Sequence, residues 1–451
     1  MKLIAPTDSM FLLGESREHP MHVGGLQLFE PPDDAGPDFL QECYGAMLDC
    51  RDLQPTFRKH PAFFGGITNL AWTFDDDVEL DYHLRRSALP APGRVRDLLE
   101  MTSRLHSSLL DRHRPLWEAH LIEGLADGRF AVYVKFHHSL IDGVSALRLI
   151  QRSLTFDPSD REVRVPWSLP PPRRRKQAAP SILRTMGKTA ASVAALAPST
   201  LSLARAALLE QQLTLPFRAP KTMFNVRIGG ARRCAAQSYS LERIKHVKQA
   251  AGTTVNDVVL AMCSGALRAY LLEESALPDT PLIAMVPVNL RNEKDPEGGG
   301  NVVGTFLCNL ATHLDDPGKR LETIHHSMRD NKEVFAQLPR VQQLALSAFV
   351  TGGLALALIP GFVGTAPPPF NIVISNVPGM REPMYFRGAR MDGNYPLSIA
   401  LDGQALNITL TNNGGNLDFG LVGCRRSVPH LQRLLGHLEA ALKDLERAAG
   451  V

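Results

Sequence analysis

Apolar residues along the chain recur at two spacings, one typical of strands and one typical of helices. Between Arg129 and Phe136 every second residue is apolar, which predicts a strand with one buried face. Helical spacing predicts helices at 39–50 (capped by Asp38), 95–110, 144–154, 241–250, 255–272 and 431–448. Further strands are predicted at 282–290, 370–375, 397–401, 406–411 and 417–423, with a hairpin turn at 412–415. Helices mixed with hairpins and single strands predict an α/β (α+β) fold with mixed sheets.

A shift in composition divides the chain into two halves. Residues 166–172 contain four prolines, and the stretch 166–209 carries seven basic residues and no acidic one. We predict an N-terminal domain at 1–165, a crossover linker at 166–222 and a C-terminal domain at 223–451. Two interpretations of the linker stay open: a solvated crossover between domains, or a basic amphipathic surface suited to anionic lipid.

The overall composition mainly excludes classes of protein. The 451 residues are 44% hydrophobic and 21% charged, which excludes disordered, collagenous and coiled-coil proteins. Lysine plus arginine (49) nearly balances aspartate plus glutamate (46), so the charge gives no sign of nucleic-acid binding. Six cysteines with no C-x-x-C pair are typical of a cytosolic protein with reduced thiols.

The sequence predicts neither a signal peptide nor a membrane-spanning segment. Lys2 is followed by only a short apolar stretch before Asp8, so we expect no signal peptide. The apolar run at 344–359 is 16 residues long, short of the roughly 20 that a span needs. It lies in an uncharged stretch, 341–380, for which we predict a buried helix followed by a core strand. The alternative is an apolar surface that holds lipid or touches a membrane.

The predicted strand at 129–136 runs directly into His137-His138-Ser139-Leu140-Ile141-Asp142-Gly143, and a helix follows at once. Adjacent strand residues point to opposite faces, so one histidine can enter a cleft while the other packs against the domain. Asp142 is placed to cap the helix, and Gly143 to permit a backbone conformation that a Cβ would disfavour. A neutral imidazole at the end of a rigid strand suits a general base near neutral pH.

A metal site is the alternative use of two imidazoles and a carboxylate. The two histidines diverge, and no other cluster of histidines and cysteines completes a ligand set, so we predict no metal. The second histidine pair, His325-His326, lies in a charged helical stretch and is predicted to face solvent.

Several motifs together resemble the bacterial wax ester synthase/diacylglycerol acyltransferase family, within the CoA-dependent acyltransferases related to chloramphenicol acetyltransferase. The H-H-x-x-x-D-G element at 137–143 is shared by that whole superfamily. The narrower resemblance rests on the P-L-W segment at 114–118, the N-D motif at 254–260, the N-V-P-G strand end at 374–379, and the opening residues 7–8 and 21–24. Met380 and Thr411-Asn412 depart from the family pattern, which affects expectations about substrate preference.

The resemblance implies two chloramphenicol acetyltransferase-like domains with an active-site channel at their interface. Acyl-CoA would be a substrate, and no cofactor is implied. The acceptor would be diacylglycerol, giving triacylglycerol, or a long-chain alcohol, giving wax ester. His138 would be the general base that deprotonates the acceptor hydroxyl for direct attack on the thioester, and Asp142 would orient the motif. Asn256 is a candidate oxyanion stabiliser, and the alternative role for Asn256 is a helix cap.

The remaining motif residues would support the site. Trp117 would be a packing anchor that shapes the channel wall, and the others are His137, Gly143, Asp257, Pro115, Asn376, Pro378 and Gly379. The resemblance further implies a cytoplasmic protein in peripheral contact with the inner membrane face or lipid bodies, and no nucleic-acid partner. Two alternatives stay open: an acyltransferase that uses a carrier-bound donor or another alcohol, and a non-catalytic protein of lipid bodies.

Overall fold

The computed structural model describes residues 2–64, 67–170, 216–289, 303–337 and 365–451, together with Gln343, Ser347 and Val363. The helices are α1 Pro6–Gly14, α2 Phe39–Asp49, α3 Leu80–His83, α4 Val95–Ser107, α5 Gly143–Arg152, α6 Leu241–Ala250, α7 Val255–Glu273, α8 Pro317–Gln337 and α9 Arg433–Ala449. The strands are β1 Lys2–Leu3, β2 His22–Glu30, β3 Lys59–Phe64, β4 Ile67–Phe74, β5 Leu84–Ala88, β6 Trp117–Glu123, β7 Phe130–His137, β8 Arg232–Ser240, β9 Ile283–Asn289, β10 Val303–Asn309, β11 Ile372–Met380, β12 Tyr385–Phe386, β13 Ala389–Leu397, β14 Leu406–Asn413 and β15 Asn416–Cys424.

The described strands form two six-stranded mixed sheets and a small third one. The first sheet has the order β12-β13-β2-β7-β6-β5, and its only parallel pair is β5 with β6. The second has the order β10-β9-β11-β14-β15-β8, with β11 parallel to both β9 and β14. β1, β4 and β3 make the third sheet. The prediction of an α/β fold with mixed sheets is confirmed.

Strand β13 belongs to the first sheet although it lies late in the chain. It pairs antiparallel with β2 through a bulge between Met391 and Gly393. Sheet membership therefore does not follow the predicted division at 165 and 223. The strand predicted at 397–401 is wrong, because β13 ends at Leu397. Asp392, Gly393 and Pro396 hid the true strand, since these residue types are depleted in strands.

Two sets of contacts join the sheets. Helix α4 covers the edge strand β8 of the second sheet: the hydroxyls of Ser103 and Ser107 accept hydrogen bonds from Cys234 N–H (2.9 Å) and Arg232 N–H (2.8 Å). Elsewhere β15 approaches β13 so closely that a Cβ at Gly420 would lie 1.9 Å from the Pro396 carbonyl oxygen. The covered edge cannot pair with another strand. We call the first and third sheets with α1–α5 the first lobe, and the second sheet with α6–α9 the second lobe. The two lobes pack against each other at these contacts.

Most predicted helices and the hairpin turn lie where the pattern placed them, with three differences in detail. Asp38 precedes α2, but its side chain makes no capping hydrogen bond. Strand β7 is buried on both faces, so its alternation did not mark a solvent face. Trp167, in the predicted linker, is fully buried, whereas residues 171–215 and the apolar run at 344–359 lie almost wholly outside the described residues.

Among the described residues, one helix is long and apolar enough to cross a bilayer, namely α7. Two thirds (67%) of its apolar window is buried within the protein. It packs against α9, where a Cβ at Gly265 would lie 2.8 Å from the Ala441 methyl group. We therefore interpret α7 as a core helix of the second lobe.

Candidate active site

Backbone hydrogen bonds fix the end of β7 from two sides. His137 N–H donates to the Leu116 carbonyl (3.0 Å), and His138 N–H donates to the Met21 carbonyl (2.8 Å). Leu116 lies in the P-L-W segment, whose Pro115 is buried, and Met21 begins the M-H-V-G segment. Both segments thus contact the histidine motif directly through their backbones.

His137 points into the body of the first lobe and is fully buried. Its Nδ1 accepts a hydrogen bond from Ser139 N–H (3.1 Å) and lies 2.6 Å from Ser139 Oγ. A nitrogen that accepts from a backbone amide carries no proton, so the proton of a neutral His137 is on Nε2. Nε2 lies 3.3 Å from the carboxylate of Glu15. His137 therefore has a structural role, holding the motif from its buried side.

Glu15 is a site residue that the sequence did not reveal. Its side chain is 2% exposed and forms an ion pair with Arg112 (2.9 Å). Burial alone would raise the pKa of Glu15, but the His137 ring and the Arg112 guanidinium outweigh burial and hold that pKa below its usual range. It lies far from the motif along the chain, among other charged residues, and nothing in the local pattern distinguishes it.

The ring of His138 lies apart from this buried cluster and is half-buried. It stacks on Phe11 of α1, with ring centroids 4.1 Å apart and an interplanar angle of 18°. Burial lowers the pKa of His138 to about 4, and the charge of Asp142 opposes only part of that shift. The imidazole is therefore neutral at pH 7 and able to accept a proton.

Asp142 caps helix α5 and is exposed. Its carboxylate accepts hydrogen bonds from Ser145 N–H (2.9 Å) and Ser145 Oγ (2.8 Å), which anchors the helix start next to His138. The conformational reason predicted for Gly143 is wrong: its φ is not positive, and an added Cβ would meet only Val23 Cγ1, at 4.0 Å. Gly143 is simply the first residue of α5, where alanine also fits.

Trp117 is fully buried in the core of the first lobe. Its ring lies between His83 (4.6 Å) and Trp167 (4.9 Å), and its Nε1–H donates to the Phe57 carbonyl (3.0 Å). It pairs directly with Phe136, so both side chains share one face of the sheet and His137 points to the other. Trp117 is a packing anchor, and it faces away from His137.

The N-D motif begins helix α7, and Thr254 is the cap. The Thr254 hydroxyl accepts from Asp257 N–H (3.2 Å), while the Asp257 carboxylate accepts from Thr254 N–H (3.0 Å). Asn256 is the second helical residue and is half-buried, so its side chain does not fill the cap position. This leaves Asn256 available for another role.

His325 is only partly exposed, whereas the prediction placed it facing solvent. Its Nδ1 lies 2.8 Å from Oδ2 of buried Asp257, and its side chain is 30% exposed. His326, 48% exposed, lies nearer the surface. The helical charge pattern of α8 could not reveal this contact, because the partner carboxylate comes from α7.

The N-V-P-G segment ends strand β11 in a bulge between Val377 and Met380. Asn376 is half-buried and pairs with Leu410 of β14, while Pro378 is exposed. Gly379 lies against the 411–412 pair: an added Cβ would be 2.0 Å from the Asn412 carbonyl oxygen and 2.4 Å from Thr411 Oγ1. The two departures from the family pattern, Met380 and Thr411-Asn412, therefore both lie next to Gly379.

The structure brings only part of the predicted site together. His137, His138, Asp142 and the P-L-W segment meet at the end of β7, whereas the N-D and N-V-P-G segments belong to the second lobe. Among the described residues, no hydrogen bond, ion pair or ring contact joins Asn256 to His138. In the same part of the chain, no group of three or more His, Cys, Asp or Glu comes together to hold a metal. The interface channel and the absence of a metal stay predictions.

Comparison with known proteins identifies the class. Residues 4–259 match the wax ester synthase/diacylglycerol acyltransferase catalytic domain, and residues 299–446 match the WS/DGAT C-terminal domain. The chain belongs to this family and is an O-acyltransferase. The matched segments divide the chain elsewhere than the predicted domain bounds, which stay a prediction.

Individual relatives agree over the full length. The chain is 67% identical to the "Probable diacyglycerol O-acyltransferase tgs2" of Mycobacterium tuberculosis, with 100% of both chains covered. The solved wax ester synthase/diacylglycerol acyltransferase from Marinobacter aquaeolei VT8 matches with a TM-score of 0.80 and 41% identity over 100% of both chains. The first condensation domain of the calcium-dependent antibiotic synthetase matches at a TM-score of 0.62 and 17% identity, covering 99% of this chain and 96% of that one, which shows a shared fold. The family and the fold predicted from the motifs are confirmed.

Proposed function

We propose that this acyltransferase moves a long-chain acyl group from acyl-CoA directly to the hydroxyl of diacylglycerol or a fatty alcohol, with His138 as general base. The observation that carries the proposal is the state of the His138 ring. It is neutral, half-buried and held against Phe11 at the end of a strand whose other histidine is locked in place. Such an imidazole is positioned to accept a proton and cannot swing freely into solvent.

In this mechanism the acceptor oxygen attacks the thioester carbonyl while its proton passes to the His138 ring. The tetrahedral intermediate then collapses, the C–S bond breaks, and the imidazolium returns the proton to the departing CoA sulfur. No acyl-enzyme forms. A positioned base of this kind contributes about 10²–10⁴-fold in rate.

The oxyanion of that intermediate needs a hydrogen-bond donor, and Asn256 is our candidate. Support comes from its place in the N-D motif and from the finding that Thr254, not Asn256, caps α7. A half-buried amide at a helix N-terminus also lies in the positive end of the helix dipole. Asp257 keeps that helix start in place through the reciprocal cap.

We propose diacylglycerol as the preferred acceptor and triacylglycerol as the main product. The support is the name of the 67% identical relative, a probable diacylglycerol O-acyltransferase. The Marinobacter relative carries both activities in its name at 41% identity, so a fatty alcohol is the second acceptor to test.

We also propose that the protein works in the cytoplasm, in peripheral contact with the inner membrane face or lipid bodies. The basic stretch at 166–209 supports contact with anionic lipid. Exposed apolar side chains occur on the helix that carries Phe11: Met10 is 48% and Leu13 is 72% exposed. Flotation with vesicles of anionic and of neutral phospholipid tests this proposal. If the protein is absent from the floating fraction with both kinds of vesicle, the proposal is contradicted.

The function is tested with purified protein, a long-chain acyl-CoA and either diacylglycerol or hexadecanol. Release of CoA thiol and formation of ester are followed in parallel. We expect CoA release only when an acceptor is present, in equal amount to the ester, and faster with diacylglycerol. CoA release without an acceptor would contradict direct transfer, and no release with either acceptor would favour a carrier-bound donor or a non-catalytic role.

A further inference from the structure

The segment between α1 and β2, residues 15–21, contacts both histidines of the motif. Its last residue, Met21, accepts the hydrogen bond of His138 N–H (2.8 Å), and its first residue, Glu15, faces His137 Nε2 (3.3 Å). Met21 N–H also points at the Glu15 carboxylate (3.4 Å), which ties the two ends together. The position of His138 therefore depends on the conformation of the 15–21 segment.

The second lobe contacts the middle of the same segment at three consecutive residues. Asp402 Oδ1 lies 3.0 Å from His19 Nε2, in a pair that is 15% and 19% exposed. The Arg232 guanidinium donates to the Glu18 carbonyl. Gly230 lies against the Arg17 carbonyl, which would be 2.7 Å from an added Cβ.

The two charged anchors are themselves held firmly. Asp402 accepts a hydrogen bond from Ile228 N–H (2.8 Å); burial would raise the pKa of Asp402, but the His19 ring and that amide hold it below its usual range. Arg232 is buried and also donates to the Ala400 carbonyl (3.3 Å). Rigid anchors of this kind fix the position of the segment relative to the second lobe.

Within the segment, a tight turn links His19 to Glu15. The backbones of Ser16 and His19 exchange two hydrogen bonds (3.0 and 3.2 Å), and Ser16 Oγ lies 3.0 Å from His19 Nδ1. Ser16 directly follows Glu15 in the chain. A displacement of His19 is therefore passed to Glu15 and from there to the motif.

We propose that Asp402 is a positioning residue for His138: through His19 and the 15–21 segment, the second lobe holds the base in its reactive place. The inference rests on the proposed role of His138. Neither Asp402 nor His19 touches the substrate in this account. Both determine how accurately the imidazole is positioned, and a misplacement of a catalytic group by about 1 Å can cost about 100-fold in rate.

The test compares Asp402→Asn, His19→Gln and the double variant with the parent enzyme. Asp402→Asn removes the negative charge that faces His19, while it keeps Oδ1, the one oxygen that both accepts from Ile228 N–H and faces His19 Nε2. A matched control is Asp392→Asn, which removes a carboxylate paired with Arg129 (2.5 Å) away from the 15–21 segment. For each variant kcat and KM for both substrates are measured, and the folded fraction is followed by circular dichroism.

We expect kcat to fall about 10- to 100-fold in each single variant, with KM within about twofold and the folded fraction unchanged. The double variant should be no slower than the slower single one, because both changes weaken the same Asp402–His19 contact. The control should keep its kcat. Additive losses, an unchanged kcat in Asp402→Asn, or a loss that only tracks the folded fraction would each overturn the inference.

Failure of the inference is distinguishable from failure of the proposed function by including His138→Ala. If His138→Ala is inactive while Asp402→Asn is fully active, His138 is the base and Asp402 does not position it. If His138→Ala retains full activity, the proposed mechanism itself is wrong, whatever the Asp402 variants do.

Discussion

Replacing Gly379 with alanine should destabilise the protein strongly, whereas the same replacement at Gly143 should not. Both glycines lie in motifs that the family shares. At Gly379 the new Cβ would be 2.0 Å from the Asn412 carbonyl oxygen and 2.7 Å from Asn412 N. These are backbone atoms of the paired strand β14, so they cannot move aside without disturbing the β11–β14 ladder.

The expected magnitudes follow from the space around each glycine. Forcing an extra carbon into a packed site costs typically about 1–3 kcal/mol and sometimes more, so we expect about 3 kcal/mol for Gly379→Ala. At Gly143 the nearest atom outside its chain neighbours and the adjoining helix backbone is 4.0 Å away, and φ is not positive. There the lost freedom of the unfolded chain should stabilise the protein by about 0.4–1 kcal/mol.

The two free energies of unfolding are obtained from urea titrations followed by circular dichroism. That probe reports on both lobes, whereas all three tryptophans (Trp72, Trp117 and Trp167) belong to the first half of the chain. Gly379→Ala should unfold at a clearly lower urea concentration than the parent and Gly143→Ala at the same or a higher one. Equal midpoints for the two variants would refute the close approach at the bulge.

The other predictions concern pH and the N-D helix. Burial lowers the pKa of His138 to about 4 and the pKa of His106, a buried residue of α4, to about 3. Below pH 6.5 the unfolded chain therefore binds protons that the folded one does not. The free energy of unfolding should therefore be constant from pH 7 to 8 and fall below pH 6.5 by about 1.4 kcal/mol per pH unit for each such histidine. The fall should continue to about pH 4 for His138 and to about pH 3 for His106. A melting temperature that is flat from pH 7 to 5 would contradict this prediction. His325→Ala should cost about 1–3 kcal/mol of unfolding free energy, because it strips a partner from buried Asp257, while the exposed control His326→Ala should stay within about 0.5 kcal/mol. Equal effects of the two substitutions in urea titrations would show that the Asp257 contact does not stabilise the fold.

Local patterns predicted local features well. The spacing of apolar residues placed α6, α7 and the β14–β15 hairpin within a few residues of their observed ends. The alternation at 129–136 placed the two histidines at a strand end, where their rings diverge. These features depend on neighbours within a few positions, which a single sequence displays directly.

Features that depend on distant partners were not predictable in this way. β13, together with β12, joins a sheet otherwise built from the first half of the chain, and the Asp, Gly and Pro residues of β13 give no strand signal. Glu15 meets His137, and His325 meets Asp257, only because the fold brings separate elements together. The predicted freedom at Gly143 was wrong because the helix begins there with ordinary dihedral angles.

The resemblance supplied what the pattern could not, namely the reaction and the importance of the N-D and N-V-P-G segments. The structure then refines those assignments. Thr254 rather than Asn256 caps α7, and Trp117 packs on the face opposite to His137. The account of catalysis therefore rests chiefly on the first lobe.

The central claim is that His138 is the base, and one measurement tests it most directly. CoA release from a long-chain acyl-CoA with diacylglycerol is compared between the parent enzyme and His138→Ala, after circular dichroism shows that both are folded. We predict a loss of about 10²–10⁴-fold in kcat, since a positioned base contributes that much. A kcat within threefold of the parent value (about 0.6 kcal/mol in barrier) would contradict the account.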